Sequence, residues 1–332
     1  MAAPACALTG RAVQIREYVP LSLWGADRLG QGGSNMSATA EADIKRQVRR
    51  FYDEIGWQEI GEGVYQNAQY EDLRPVAREY IHRCHLRVGR YLQPRGRYFL
   101  DAGSGPIQYP EYLEYSKGYK FRVCADISIV ALQEARKRIG DAQAGGHGLF
   151  VVADVAHLPF QSGVFDGLVS LHTIHHLPGE EHTEAFFELH RVLGPGKAGV
   201  VVHGWGDSLL SKIFVGPVKF IRKTWRRIRR RLGRNREALS KVHAEPKRSN
   251  SRRTYVHKNN PEWLKREIGS KMPVEIYVWR SVNVRFLRTY IHGFLGGKYL
   301  LRLLYLVEER FPRLFGEFGM YPIVLLRKEL RE

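Results

Sequence analysis

Between residues 98 and 203 the chain alternates short, continuous apolar runs with amphipathic stretches of helical period. The runs Tyr98–Asp101, Phe121–Ala125, Leu149–Val152, Val164–Leu171 and Gly199–His203 read as strands buried on both faces, as in parallel sheets. Between them, Gln108–Ser116 predicts a helical turn. Ile127–Ile139 predicts a helix with Ala131, Ala135 and Ile139 on one side, and His182–Leu193 a second one, closed by the turn Gly194-Pro195-Gly196. This alternation predicts parallel βαβ units, and right-handed crossovers then bring all carboxyl strand ends to one edge.

The flanks follow other periods. Glu41–Gly56 predicts a helix with Ile44, Val48, Phe51 and Ile55 on one side. Tyr65–Asp72 is an aromatic, polar loop, and a helix over 74–92 repeats Val76, Tyr80, Cys84 and Val88 every fourth residue. Downstream, Asn260–Gly269 predicts a helix with Pro261 in its first turn. Val274–Trp279 and Tyr321–Leu326 are strands. Between them, Val284–Phe311 is apolar and aromatic and is broken into two helices at Gly296-Gly297. Its excess of aromatic residues suggests a hydrophobic acceptor pocket or a lid.

Composition adds limits. The 332 residues leave room for one large domain or two. No run of 18 apolar residues exists, so no spanning helix is expected. Cys6, Cys84 and Cys124 lack metal-like spacing and argue against a disulfide framework, which suits a reducing cytosol. Residues 1–40 show no sustained period and no secretory n- and h-regions, and Met36 is a candidate internal start. The expected location is cytoplasmic, with a peripheral position at the inner face of the membrane suggested by charge. The net charge of +18 is concentrated: from Pro217 to Arg253 there are fifteen Lys and Arg against Glu237 and Glu245. Within this insertion Phe214, Val218, Ile221, Trp225, Ile228 and Leu232 form one narrow apolar stripe, with cations on the other faces. Such a helix suits an anionic membrane surface. Packing on its own domain with a solvated basic face, and nucleic-acid contact, are the other readings. Arg234–Arg253 reads as a mobile polar linker.

Chemistry gathers at the first strand. Tyr98-Phe99-Leu100-Asp101-Ala102-Gly103-Ser104-Gly105-Pro106 carries an apolar run into a glycine-rich turn. Gly103 and Gly105 permit positive φ and close backbone approach. A nucleoside ligand at the carboxyl end of this strand is the natural expectation. Asp126 follows Asp101 by 25 residues. With Ala153-Asp154-Val155-Ala156-His157-Leu158-Pro159-Phe160, Phe165–Ser170, His175-His176-Leu177 and Arg191–Gly196 in order, the region resembles a class I S-adenosylmethionine-dependent methyltransferase of type 11. The likeness is greatest to the ubiquinone/menaquinone-methyltransferase branch. One departure is Ile107, where many members carry a third glycine.

The resemblance implies an α/β fold: a Rossmann-like, seven-stranded, mostly parallel sheet with helices on both faces, an N-terminal helical cap and a basic helical insertion. It implies S-adenosyl-L-methionine as cofactor, S-adenosyl-L-homocysteine as product and no metal. Asp101, Gly103, Ser104 and Gly105 would line its methionine and ribose end. Asp126, with Ile127, would accept the ribose hydroxyls, and Asp154 would reach the adenine amino group with Val155 beside the ring. Ser170 and Leu171 would close the pocket under the sulfonium. His172, at the end of the fourth strand, is the candidate base for an oxygen acceptor. Tyr52, Tyr65, Tyr70, Gln108, Tyr109 and His175 are the candidate acceptor contacts. The expected segments are an extension at 1–40, a helical cap at 41–93, the cofactor-binding core at 94–208, the basic insertion and linker at 209–258, and the end of the sheet with an aromatic helical cap at 259–332. The acceptor is expected to be a small molecule, a lipid-, quinone- or saccharide-linked oxygen. Two rivals stand beside it: a nucleic acid (RNA) methyltransferase, motivated by the arginine run but lacking an Asn/Asp-Pro-Pro-Tyr motif, and a non-catalytic protein that binds the cofactor.

Overall fold

The computed structural model describes residues 36–61, 64–141, 147–206, 208 and 254–330. The stretch 1–35 and the basic stripe 214–232 with its linker lie outside the described residues. A small antiparallel hairpin, β1 (Glu59–Gly61) and β2 (Val64–Tyr65), precedes the main sheet. The sheet strands are β3 (Gly96–Ala102), β4 (Tyr119–Asp126), β5 (His147–Val152), β6 (Phe165–Leu171), β7 (Leu193–Val202), β8 (Val274–Arg280) and β9 (Tyr321–Arg327). Their order is β5-β4-β3-β6-β7-β9-β8. Neighbours from β5 to β7 pair in parallel, and β9 runs antiparallel to both β7 and β8. β8 therefore points the same way as β3–β7. Its end, Trp279-Arg280, reaches the same edge as Ala102, Asp126, Leu171 and Val202. The strand order reverses between β3 and β6, the place where open α/β sheets present a crevice for ligands.

The strands are buried on both faces because their side chains alternate between two cores. Leu100, Val123, Val201 and Val324 pack on one side with Phe186 and Leu189 of α5 (His182–Val192). Leu264 and Ile268, in the π-helical turn after α6 (Pro261–Trp263), join them. Phe99, Val169, Val200 and Leu325 pack on the other side with α2 (Pro75–Arg87), α7 (Val284–Tyr290) and α8 (Gly297–Arg310). The remaining helices are α1 (Met36–Phe51), which runs into a π-helical turn Tyr52–Gly56, α3 (Glu111–Glu114), α4 (Ile129–Asp141) and α9 (Pro312–Phe318).

Three features depart from the sequence expectation. β7 begins at Leu193, taking in the Gly194-Pro195-Gly196 turn. α4 begins two residues later than its apolar period suggested. The Ser128 hydroxyl accepts from Ala131 N–H at 3.1 Å while Asp126 accepts from Ser128 N–H at 2.8 Å, so residues 126–128 form the turn that starts the helix. The aromatic segment does divide at Gly296, which takes φ +67. The pocket or lid expected of it is corrected, however: Phe294, Tyr299, Leu300, Leu303 and Leu306 face outward. The buried acid Glu308 explains the orientation. It accepts from the Tyr80 hydroxyl at 2.7 Å and Ser281 N–H at 3.0 Å and pairs with Arg87 at 3.1 Å, which holds Leu301 and Tyr305 against α2.

Candidate functional site

The loop after β3 is shaped by its backbone. Gly103 and Ser104 N–H donate to Ala125 O at 2.7 and 3.2 Å, which locks the loop to the end of β4. Gly103 takes φ +75, and a Cβ there would lie 2.2 Å from the Thr173 hydroxyl oxygen. At Gly105, φ +54, it would meet the Trp57 ring at 3.0 Å. Ile107 also sits at φ +54, where glycine is favoured. The departure noted at this position is thus a side chain held in a glycine conformation. It is retained because Ile107 is buried against Cys124, Leu132, Ala135 and Phe150. A β-branched residue there stores about 1–3 kcal/mol of strain. Ile107→Gly is therefore expected to be no less stable than Ile107→Ala, reversing the usual deficit of glycine of about 0.5–1 kcal/mol. Thermal melting of the two variants checks this, and an Ala variant clearly the more stable would deny the strain.

Asp126 ends β4. Its two carboxylate oxygens accept from Gly105 N–H and Ser128 N–H, each at 2.8 Å. Burial pushes its pKa up to about 6; the two backbone donors oppose this, and Asp101 and Asp53 add to it. A buried carboxylate with two donors and, among the described residues, no cation partner has lone pairs to spare. Vicinal hydroxyls of a ribose would fill them, so this residue fits the role expected of it. Asp101 lies deeper, and its carboxylate is spent on Arg122 of β4. Burial raises the Asp101 pKa against the pull of that guanidinium. Its place is beneath the loop, as the anchor of the β3–β4 pair. Ser104 turns its hydroxyl back to Gly105 O at 3.1 Å, and Ile127 is half-buried beside Asp126.

The N-terminal segment closes over this edge. Asp53 accepts from the Ser128 hydroxyl at 2.5 Å. Tyr52 stacks on Trp57 with ring centroids 5.0 Å apart, and its hydroxyl is 2.8 Å from His176 Nε2. Lys45 of α1 pairs with both Asp154 and Glu181. Burial alone would raise the Asp154 carboxyl, but His157 and Lys45 hold it at about 2. Asp154, His157 and Glu181 have ligand atoms within 4.8 Å of one another. Lys45 already supplies the cation these acids require. Val155 is buried beside Asp154.

A second cluster occupies the ends of β6, β7 and β8. His172 takes φ +58, and its N–H donates to Val202 O at 2.9 Å. A non-glycine residue held there marks a position that its surroundings over-determine, and such positions cluster at functional sites. Its ring lies 4.7 Å from Trp279, 5.7 Å from Tyr321 and 6.2 Å from His175. Burial drives the His172 pKa well below 6.5, with Arg280, His85, Lys258 and His203 in the same direction, so the imidazole is neutral. Thr173, the next residue, donates to Gly103 O at 3.2 Å and ties His172 to the glycine loop. Among the described residues, His175 Nδ1, both His203 nitrogens and the Ser170 hydroxyl are buried without a hydrogen-bond partner. Orphaned polar atoms of this kind call for a ligand or water. Lys258 points at Gly204 and over Tyr321, has no carboxylate partner among the described residues, and has its pKa lowered by burial.

The expected acceptor contacts divide. Tyr52 and His175 join the edge just described. Tyr109 packs at a tilt on His85, with ring centroids 4.5 Å apart, and its hydroxyl accepts from the Gln108 amide at 3.2 Å; His85 in turn stacks on Trp279. Tyr65 packs edge-on against Trp57, with ring centroids 6.1 Å apart, and lies under the Arg138 guanidinium on α4. Leu171 is half-buried and offers its carbonyl to Thr173. The side chain of Tyr70 lies outside the described residues. Sequence reasoning missed Lys45, Trp57, Arg122, His203, Lys258 and Arg280. Arg122 left a signal, a cation inside the apolar run Phe121–Ala125. His203 left another, at the strand end before Gly204-Trp205-Gly206.

Residues 100–201 match the family model of a methyltransferase domain. Among solved structures, the chain is similar to geranyl diphosphate C-methyltransferase from Streptomyces coelicolor A3(2), at 11% identity and TM-score 0.48 over 86% of this chain and 98% of that one. A putative S-adenosyl-L-methionine-dependent methyltransferase from Methanococcus maripaludis aligns at 14% and 0.41, over 83% and 98%. Phosphoethanolamine N-methyltransferase 2 from Haemonchus contortus aligns at 17% and 0.45, over 85% and 60%. No curated protein matches.

Proposed function

We propose that this chain, which carries a class I S-adenosylmethionine-dependent methyltransferase domain, methylates an oxygen of a small, acidic acceptor at the edge formed by β6, β7 and β8. The observation that carries this reading is the position of His172, tied through Thr173 to the loop expected to hold the cofactor and packed on the same Tyr321 ring that lies under Lys258. When bound, S-adenosylmethionine supplies an already activated methyl group. The protein's share is then orientation and proton management. Asp126 and the Gly103–Gly105 backbone would hold the nucleoside, and Trp57 and Lys45 would exclude water from it. A neutral His172 can take a proton, yet its depressed pKa makes it a weak base. The nearby Lys258 offsets this, because its cation favours the ionised form of an acceptor hydroxyl or phenol, whereas the charge of Arg280 is already met by Glu71 at 2.5 Å. A phenolic or enolic oxygen, quinone-linked, fits this balance better than an ordinary alcohol.

His172→Ala is expected to lower turnover roughly 10²–10³-fold while leaving S-adenosylhomocysteine binding within a few-fold. Radiolabelled methyl transfer to lipid and phenolic extracts, with calorimetry alongside, measures both. Equal turnover in the variant would remove His172 from the chemistry. The basic stripe 214–232 supports a further reading, a peripheral position on an anionic membrane, since each cation near such a surface contributes about 1 kcal/mol. Among the described residues no helix is long and apolar enough to cross a membrane.

A further inference from the structure

Among the described residues, apolar surface is exposed around α8 far beyond what scattered side chains would give. Phe294 is 85% exposed, Leu295 67%, Tyr299 73%, Leu303 58% and Leu306 61%. Leu300, Phe311, Leu314 and Phe318, on the same helix and the segment that follows it, are exposed as well. α8 explains its shape. At 100° per residue, Leu301, Tyr305 and Glu308 share the side packed on α2, while Tyr299, Leu300, Leu303 and Leu306 share the opposite side. The helix is thus apolar on two faces and buried on one. Contiguous apolar patches of this kind mark sites of protein or membrane contact.

Charge chooses between these partners. Acids near the patch are already neutralised: Glu79 by Arg83, Lys298 and Arg302, Glu309 by Arg87 and Arg90, and Glu317 by Lys265. Arg310, lying over the Phe311 ring, has no carboxylate partner among the described residues. The rim is cationic, and the chain as a whole carries +18. A second copy would set cation against cation across a convex ridge. A bilayer with anionic headgroups would take the leucines into its acyl boundary, the tyrosine and phenylalanines into its interfacial zone and the cations into its headgroups.

We propose that the outward face of α8, with the adjoining 294–295 and 311–318 segments, docks on an anionic lipid surface. This surface is built from residues other than those of the basic stripe at 214–232, and the proposal does not depend on the acceptor assigned above. α7 follows directly from the end of β8, so docking would hold the acceptor edge at the membrane through one short helix.

The test is flotation of the full chain with vesicles of phosphatidylcholine alone or mixed with phosphatidylglycerol. The intact protein is expected to float with the mixed vesicles. Leu303→Asp/Leu306→Asp is expected to lose most of the bound fraction, at least tenfold, with melting temperature and S-adenosylhomocysteine binding kept. A parallel variant, Ile221→Ser/Trp225→Ser, removes the other candidate surface and is expected to keep part of the binding. Leu303→Cys in a Cys6→Ser background, labelled with an environment-sensitive dye, reads the same contact without adding charge and is expected to shift to the blue on adding mixed vesicles. Failure of the intact protein to float overturns the proposal. So does flotation unaffected by the Asp pair, or a dimer by light scattering that the Asp pair converts to monomer.

Discussion

Asp126→Ala is expected to weaken S-adenosylhomocysteine binding at pH 7.5 by roughly 10²-fold or more. The carboxylate would give up hydrogen bonds to two ribose hydroxyls, and bonds to a charged group contribute about 1.5–3 kcal/mol each. The same truncation strips Gly105 N–H and Ser128 N–H of their acceptor, so the loop that cradles the ligand loosens as well. Asp126→Asn separates the two effects. Its amide keeps one acceptor for the loop but cannot accept from both backbone donors and both hydroxyls. The pH dependence supplies an independent signature. Burial sets the Asp126 pKa at about 6 in the free protein, and the ligand requires the ionised form. Binding by the intact protein should therefore weaken as pH falls through 6, approaching tenfold per unit, while the Ala variant stays flat. Calorimetry at pH 7.5 and 5.5 decides the matter. Undiminished binding by Asp126→Ala would mean that the ribose lies elsewhere.

The alternation of apolar runs and helical stretches made the sheet legible from residue 98 to 203, because each strand buried on both faces is a short apolar word bounded by turn residues. The glycine loop and Asp126 were legible for the same reason: they lie next to one another in a single βαβ unit. The acceptor edge was not. His172, His203, Lys258, Trp279 and Arg280 come from four segments that meet only because β9 inserts antiparallel between β7 and β8. No local period announces such an insertion. The role of Lys45 was hidden likewise, since its partners Asp154 and Glu181 lie more than a hundred residues away. The aromatic excess after residue 284 invited a pocket, and composition alone could not say which face of α8 would be buried. Glu308 decides that, through partners on α2 and after β8. Ile107 shows the converse: a residue that breaks the expected motif adopts the backbone the motif requires, at the expense of strain.

Acid is expected to destabilise the protein steeply. Burial is the leading cause that holds His176 and His182 at about 4 and His203 at about 3, and it holds His172 and His175 well below 6.5. In the unfolded chain all five titrate near 6.5. Above that pH neither state carries the protons. As pH falls below 6.5 the unfolded chain binds five protons that the folded chain refuses, so stability drops until the folded pKa values are reached. Each pH unit of displacement is worth about 1.4 kcal/mol per group. By pH 4.5 the three groups with values near 3–4 would account for on the order of 4 kcal/mol even if relaxation and water entry halve the effect. Asp126 acts in the opposite sense. Raised to about 6, its carboxyl gains a proton first in the folded state, which returns about 1 kcal/mol on the same halved scale. The histidines prevail, and the melting temperature should fall by roughly 10 °C between pH 7.5 and 4.5. His203→Leu tests the assignment. Neither nitrogen of His203 has a partner among the described residues, so replacing it by an apolar side chain should leave stability at pH 7.5 equal or higher and flatten the acid profile. A melting temperature independent of pH would show that these imidazoles are hydrated in the folded state. A His203→Leu variant that is stable but slow in methyl transfer would instead locate the acceptor beside it, since a buried imidazole with no partner is retained at a cost that packing does not explain.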